Sequence, residues 1–445
     1  MAKHPHSRIA AGLATAFLVG PFQQAEFLAR GTKAIGKRRK WMTRLVEQIV
    51  REFGTDKRPS RTALTRFILR NAGFQAVCDE DPDLALAGSR HFVLAMTPQN
   101  SWAASWPIPP LATPQQLADW LGITPGELAW FADLSSLQRL ALDGPLSHYG
   151  YRWIRKRGGS FRLVESPKAR LKQLQRKVLH ELIDKIPPHE AAHGFRQGRS
   201  ICSFVQPHVG RRVILKMDLQ DFFPSITQWR VTGLFRCAGY PEEVARLLAG
   251  ICTNEAPPQV LRSLPECERQ RAWQLETLYQ TPHLPQGAPS SPGLANLCAY
   301  KLDARLAGLA RAAGGIYTRY ADDLLFSGDD AFARSVKRFY IHAAAIVLEE
   351  DFTVNFHKTR IQSQPVRQPA AGLVINSNAN IQRDTFDNLK ATLHNAARFG
   401  PVGQNRGGVA DFRDHLGGRI AFVEMVHPAR GAKLRRIFER IAWEK

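Results

Sequence analysis

Apolar residues in the first 96 positions recur at three- and four-residue spacing. Ile9, Leu13 and Phe17 share one helical face, and Trp41, Leu45, Ile49 and Phe53 share another. The spacing predicts a helical N-terminal region. The apolar run from Ile9 to Phe22 follows Lys3, His4, His6 and Arg8, which resembles the start of an export signal. Its continuation, QQAEFLARGTKAIGKRRK, is helical and basic and favours an amphipathic or buried helix instead. Residues 97–114 are rich in Pro and Ser and predict a linker or surface loop. Thr113 and Thr124 each precede a Pro, the pattern of a capped helix start, so a helical hairpin is expected up to about Asp133.

From Tyr149 the period changes. The β-rich runs YRWIRK, FRLVESP, RVILKMDL, GIYTRYADDLLFSG and AAGLVIN alternate with helical stretches, which predicts a mixed α and β core. The polar segment Asn254 to His283 reads as an insertion. From Asp384 to Lys445 the pattern is helical again. Four segments result: 1–96, a helical basic extension; 97–148, linker and hairpin; 149–376, the α+β core; and 377–445, a helical basic end.

Charge changes this picture more than length does. The 445 residues hold 61 Lys and Arg against 39 Asp and Glu, a net charge of +22. That excess favours a polyanionic partner and argues against an ordinary metabolic enzyme. It concentrates at both ends. One cluster includes Lys37, Arg38, Arg39, Lys40, Arg44, Arg51, Lys57, Arg58, Arg61, Arg66 and Arg70. The other includes Arg430, Lys433, Arg435, Arg436 and Arg440, with Arg436 and Arg440 expected on one helix face. No apolar run reaches the ~20 residues of a membrane helix. The six cysteines form no C-x-x-C pair, which argues against a disulfide scaffold or zinc ribbon and for buried or incidental thiols in a reducing cytosol.

Two acidic blocks carry the candidate chemistry. In VILKMDLQDFFPSI an apolar strand delivers Asp218 at or near its end. In IYTRYADDLLFSG, Asp322 and Asp323 lie between two strand-like runs, which predicts a tight hairpin. Carboxylates placed there need a compensating cation. A pair of divalent metals about 3.5–4 Å apart is the arrangement that nucleotidyl transfer uses, and oxygen-only ligation suits Mg2+. Between the blocks lies LPQGAPSSPGLANL, in which Gln286-Gly287 reads as a loop and Pro289 to Pro292 as a helix start.

These blocks, with FRLVESPKARLKQLQRKVL, HGFRQGRSI, VNFHKTR and GLVIN in the same order, resemble the bacterial retron-type reverse transcriptases, within the prokaryotic family that also holds the group II intron enzymes. The resemblance runs from about Tyr149 to Asn376. It implies an α+β right-hand polymerase with fingers, a palm on an antiparallel sheet and a helical thumb, preceded by the helical N-terminal region. It implies Asp218, Asp322 and Asp323 as metal ligands, with the Leu219 backbone carbonyl completing a shell for two Mg2+ ions, for which Mn2+ can substitute. It places Phe223 at the steric gate against a ribose 2′-hydroxyl and implies that Tyr320 lines the substrate. By the same resemblance Gln286 and Gly287 would line the nascent base pair, Arg162 and Lys168 would hold the triphosphate, and Lys358 matches the lysine that protonates pyrophosphate.

The implied reaction copies a structured non-coding RNA into RNA-linked single-stranded DNA from deoxynucleoside triphosphates, in cytoplasmic antiphage defence. An RNA–DNA hybrid is the implied product partner, a host RNase H removes RNA, an effector protein is a further partner, and no membrane is involved. Two departures stand out. The retron N-A-x-x-H signature is reduced to His208 in Phe204-Val205-Gln206-Pro207-His208, and V-T-G to Gly372 in Ala370-Ala371-Gly372. The resemblance associates both with recognition of the cognate RNA. A defence polymerase with another template or untemplated synthesis, and an idle RNA-binding protein on the same scaffold, stay open as alternatives.

Overall fold

The computed structural model describes residues 6–18, 23–36, 39–54, 59, 61–81, 84, 96–98, 102–140, 147–156, 159–266 and 269–443. Two compact units emerge, and the chain passes between them more than once. The first holds residues 1–186 and 226–291, the second residues 187–225 and 292–445. The stretch 149–376 is therefore shared between two units.

In the first unit, helices Ser7–Leu18, Gln24–Ile35, Lys40–Phe53, Arg61–Arg70 and Ala72–Glu80 enclose a core of their own. Leu13, Phe17, Leu45 and Ile49 are buried in it, with Ile9, Trp41 and Phe53 packed at its edge, as the apolar spacing requires. The Ile9 run is thus part of a packed helix. Lys37, Arg38, Lys57, Arg58 and Cys267 lie outside the described residues; Cys78, Cys202 and Cys252 are free thiols.

Helices Pro114–Leu121 and Pro125–Ala132 both start as expected. Thr113 accepts from the Gln116 N–H and Thr124 from the Glu127 N–H, each with a reciprocal side-chain bond and Pro in the first turn. The preceding residues are not a free linker. Ala103, Leu111 and Ala112 are buried, the Thr97 N–H donates to the Gly239 carbonyl, and the Tyr240 hydroxyl donates to the Pro109 carbonyl. Strands Tyr149–Arg155 and Phe161–Pro167 pair antiparallel, with Ile154 opposite Arg162.

The segment expected to be an insertion is core at both ends. Asn254 and His283 are buried and exchange backbone hydrogen bonds, and Leu261, Leu275 and Tyr279 pack with Leu163. Its ends are fixed by buried hydrogen bonds, while polar residues between them such as Gln259, Arg262, Arg269 and Gln274 are exposed.

The second unit is built on an antiparallel sheet. Strand Val213–Gln220 is central and pairs with Asp323–Gly328, Arg360–Ser363 and Thr353–Val354; Ile316–Tyr320 pairs with Asp323–Gly328 at the edge. Asp218 thus sits inside its strand, two residues short of the end. A small sheet of Pro369–Ala370, Leu373–Val374 and Asn380–Ile381 follows. Helices Arg383–Phe399, Phe412–Val426 and Pro428–Phe438 pack their buried leucines into the same cluster as Phe204, Ile214 and Leu325. The last helix ends at Phe438, so Arg440 lies beyond it and does not share a helix face with Arg436. Among the described residues no helix is long and apolar enough to cross a membrane.

Candidate active site

The acids come together through strand register. Tyr320 faces Asp323 across a hairpin whose two turn residues are Ala321 and Asp322, and Ala321 adopts a left-handed backbone (φ 55°) to close it. In the neighbouring pair Asp218 is the direct partner of Asp323. The Leu219 N–H donates to the Asp322 carbonyl at 2.8 Å, which ties the turn to the central strand. Three carboxylates from two chain segments therefore share one sheet end.

Their charge is only partly balanced. Lys358 Nζ donates to Asp218 Oδ2 at 2.9 Å, Asn355 Nδ2 donates to Asp218 Oδ1 at 3.0 Å, and Lys216 Nζ lies 2.9 Å from Asp323 Oδ1. Asp322 is pushed up to about 6 by burial and then by the adjacent Asp218 and Asp323 charges, with Lys358 offsetting part of this. Lys358 is held above its ordinary value: burial works against its charge, and the Asp218 bond outweighs it.

Among the described residues no three His, Cys, Asp or Glu side chains already converge as a closed metal cage. The donor set nonetheless fits a hard divalent cation. It offers only oxygen, it carries uncompensated negative charge, and its paired acids are held by ammonium groups on flexible stems.

The hairpin is anchored by Arg319, which sequence reasoning missed. Its guanidinium is fully buried and grips Asp303 with Nε to Oδ1 and Nη2 to Oδ2, both at 2.7 Å. Nη1 donates to the Asn296 side chain at 3.0 Å and to the Ala321 carbonyl at 3.2 Å. Asn296 in turn donates to the Gly194 carbonyl at 2.8 Å. Burial alone would lower the arginine pKa; Asp303 more than offsets it. Arginine within Y-T-R-Y was a visible signal, because a charge in an apolar strand needs a partner.

An aromatic ledge borders the acids. Phe223 is half-buried, with ring centroids 5.6 Å from Phe222 and 6.0 Å from Phe195; Phe195 lies 6.4 Å from Tyr320. His208 lies elsewhere. It is buried against the sheet, with Nδ1 2.7 Å from the Ser327 hydroxyl and Nε2 2.8 Å from the Thr318 hydroxyl. It therefore joins the Ile201–Val205 helix and the turn after it to the strands and is not available to contact RNA.

Four of the sequence-predicted residues belong to the first unit. Arg162 is exposed on the Phe161–Pro167 strand, and Lys168 precedes helix Ala169–Glu181. Gln286 is half-buried and its carbonyl accepts from the Glu165 N–H at 3.0 Å. Gly287 has φ 142°, and a Cβ there would lie 2.7 Å from the Glu165 carbonyl oxygen, so only glycine fits. Beneath this loop Glu165 and His283 form a fully buried pair at 2.9 Å, and Asn254 Nδ2 donates to Glu165 Oε1 at 2.7 Å. One strand carries Arg162 and also pins the Gln286 loop.

A family model for reverse transcriptase (RNA-dependent DNA polymerase) matches residues 154–387. The chain is 40% identical over 345 residues to the retron Mx65 reverse transcriptase of Myxococcus xanthus, covering 77% of this chain and 74% of that protein. It is 37% identical over 335 residues to the retron Mx162 reverse transcriptase of the same organism, covering 72% and 65%. Against the retron Ec86 reverse transcriptase of Escherichia coli it is 34% identical over 244 residues, covering 54% and 68%. The match takes in the acids, the hairpin and the aromatic ledge together, and the chain belongs to the retron reverse transcriptases, RNA-dependent DNA polymerases.

Proposed function

We propose that Asp218, Asp322 and Asp323, with the Leu219 carbonyl, hold two Mg2+ ions, whose chemistry here is to activate a primer hydroxyl and to steady charge on departing pyrophosphate. The observation that carries this reading is the register that sets Asp218 opposite Asp323 beside the Asp322 turn. Lys358 Nζ delivers a proton to the pyrophosphate. Phe223 excludes a ribose 2′-hydroxyl, and Tyr320 supports the substrate beside it. Arg162 and Lys168 bind the triphosphate, and Gln286 and Gly287 bear on the nascent base pair. Segments 149–376 and 377–445 serve as fingers with palm and as thumb.

The template is a structured RNA, the product an RNA-linked DNA strand from deoxynucleoside triphosphates, and the setting cytoplasmic antiphage defence with a host RNase H and an effector protein. The +22 charge supports a nucleic-acid partner.

The test is Asp322→Asn with Asp323→Asn. Primer extension falls below detection, a loss of at least about 10³-fold, while affinity for a structured RNA stays within about twofold. Retained synthesis overturns the ligand assignment. Nuclease digestion of nucleic acid carried by the native protein separates the templates: DNA bearing a short RNA remnant supports the retron product, and DNA without one supports another template.

A further inference from the structure

We propose that Phe195 is a specificity-positioning residue that braces the Phe223 ring, so that sugar selection rests on two aromatic rings instead of one. The proposal deepens the gate reading of Phe223 and rests on it.

Three independent features single out Phe195. Its backbone is left-handed, with φ 55°. Bulky residues rarely adopt that region, because Cβ crowds the following carbonyl, and such outliers cluster at functional sites. It is an apolar side chain left 50% exposed. And the ring meets one aromatic side chain from each acidic block, at 6.0 Å from Phe223 and 6.4 Å from Tyr320.

The surroundings explain why the strain persists. The segment before Phe195 is locked onto the Ile316–Tyr320 strand. The Arg319 N–H donates to the Ala191 carbonyl at 2.7 Å, and the His193 N–H donates to the Arg319 carbonyl at 2.8 Å. Gly194 then runs so close that a Cβ would lie 2.8 Å from the Ala321 nitrogen. Its carbonyl is held by Asn296. The chain leaves this clamp by turning left-handed at Phe195, and that turn lays the ring against Phe223. A glycine or asparagine would make the same turn with less strain. Half of the side chain stays exposed there, so burial is a weak reason for the strain and the rings it touches are the stronger one.

A ring at the edge of Phe223 limits its rotation about χ1 and χ2. Without that brace Phe223 can swing aside and admit a 2′-hydroxyl. The prediction separates folding from selection, because Phe195→Gly removes the ring and relaxes the backbone in one step.

The experiment measures kcat/KM for a deoxynucleotide and for its ribonucleotide counterpart on one RNA template, in wild type, Phe195→Gly, Phe195→Tyr, Phe223→Ala and the double variant. Phe195→Gly should unfold no earlier than wild type yet lose about tenfold in deoxy-over-ribo preference, most of it through faster ribonucleotide use. Phe195→Tyr should keep the preference. Phe223→Ala should lose more, and adding Phe195→Gly to it should change nothing further, because the brace acts only through the gate.

An unchanged preference in Phe195→Gly while Phe223→Ala relaxes it overturns the brace and leaves the gate standing. Additive losses in the double variant also overturn it, since Phe195 would then act on the sugar directly. If Phe223→Ala itself leaves the preference intact, the gate reading falls first and the brace with it.

Discussion

Two histidines, His208 and His283, are each 0% exposed, one in each compact unit, yet they differ in charge state. His283 places Nε2 2.9 Å from a Glu165 carboxylate oxygen and Nδ1 2.6 Å from the Thr281 carbonyl. The Thr281 carbonyl can only accept, and an ionised Glu165 can only accept, so beside the carboxylate both ring nitrogens donate and the ring is an imidazolium. Burial works against that charge; Glu165 and the Thr281 carbonyl overcome it and raise the pKa. His208 faces two hydroxyls instead. Thr318 spends its proton on the Phe204 carbonyl at 3.0 Å, so it accepts from Nε2–H, and Ser327 donates to Nδ1. That ring is neutral, and its pKa falls to about 3, first through burial and then through His193 and Arg211. Burial is common to both rings, so the partners decide the charge.

The largest expected effect comes from breaking the charged one. His283→Leu leaves Glu165 buried with its Oε1 still bonded to Asn254 but its Oε2 stripped of the imidazolium, and should cost about 3–5 kcal/mol, read from the urea midpoint. Adding Glu165→Leu removes the orphaned charge and should recover much of that loss. A double variant no more stable than the single one would mean that no ion pair exists there. His208→Leu should cost less, about 1–3 kcal/mol, because it orphans a hydroxyl and no charge. Thr318 keeps its bond to Phe204, so the main casualty is Ser327. Equal losses in the two single variants would erase the distinction between a charged and a neutral ring.

The same contrast explains how far the sequence could be read. The Asp322–Asp323 hairpin and the two capped helices were legible, because each is decided within a few residues by alternation, a turn or a Thr-Pro start. The buried networks were not. Glu165 finds Asn254 89 residues away and His283 118 away, and Arg319 grips Asp303 on a preceding helix. A polar residue whose partner is that distant looks like surface, so the stretch from Asn254 to His283 read as an insertion. His208 was legible as a retained signature residue, but its burial against Ser327 depends on sheet pairing. The division into units was hidden for the same reason: residues 226–291 rejoin the N-terminal unit only through contacts distant in sequence.

The smallest effect is the sharpest discriminator, because the two rings should respond to pH with opposite sign. The folded pKa of His208 lies below the unfolded value of 6.5. The unfolded chain therefore binds the proton first, and wild type should lose about 1.4 kcal/mol per pH unit as pH falls below 6.5. A His208→Leu variant escapes that loss, so its disadvantage should shrink and vanish near about pH 5. The folded pKa of His283 lies above 6.5. Its contribution is complete below 6.5 and is lost as pH rises through the folded value. Glu165→Leu with His283→Leu should thus show a steady deficit from pH 5 to 6.5 that narrows in alkali. Urea midpoints at pH 5, 6.5 and 8.5 test both limbs in the same samples. Deficits that change in the same direction would show that the two rings share a charge state, and the hydrogen-bond argument for their difference would fail.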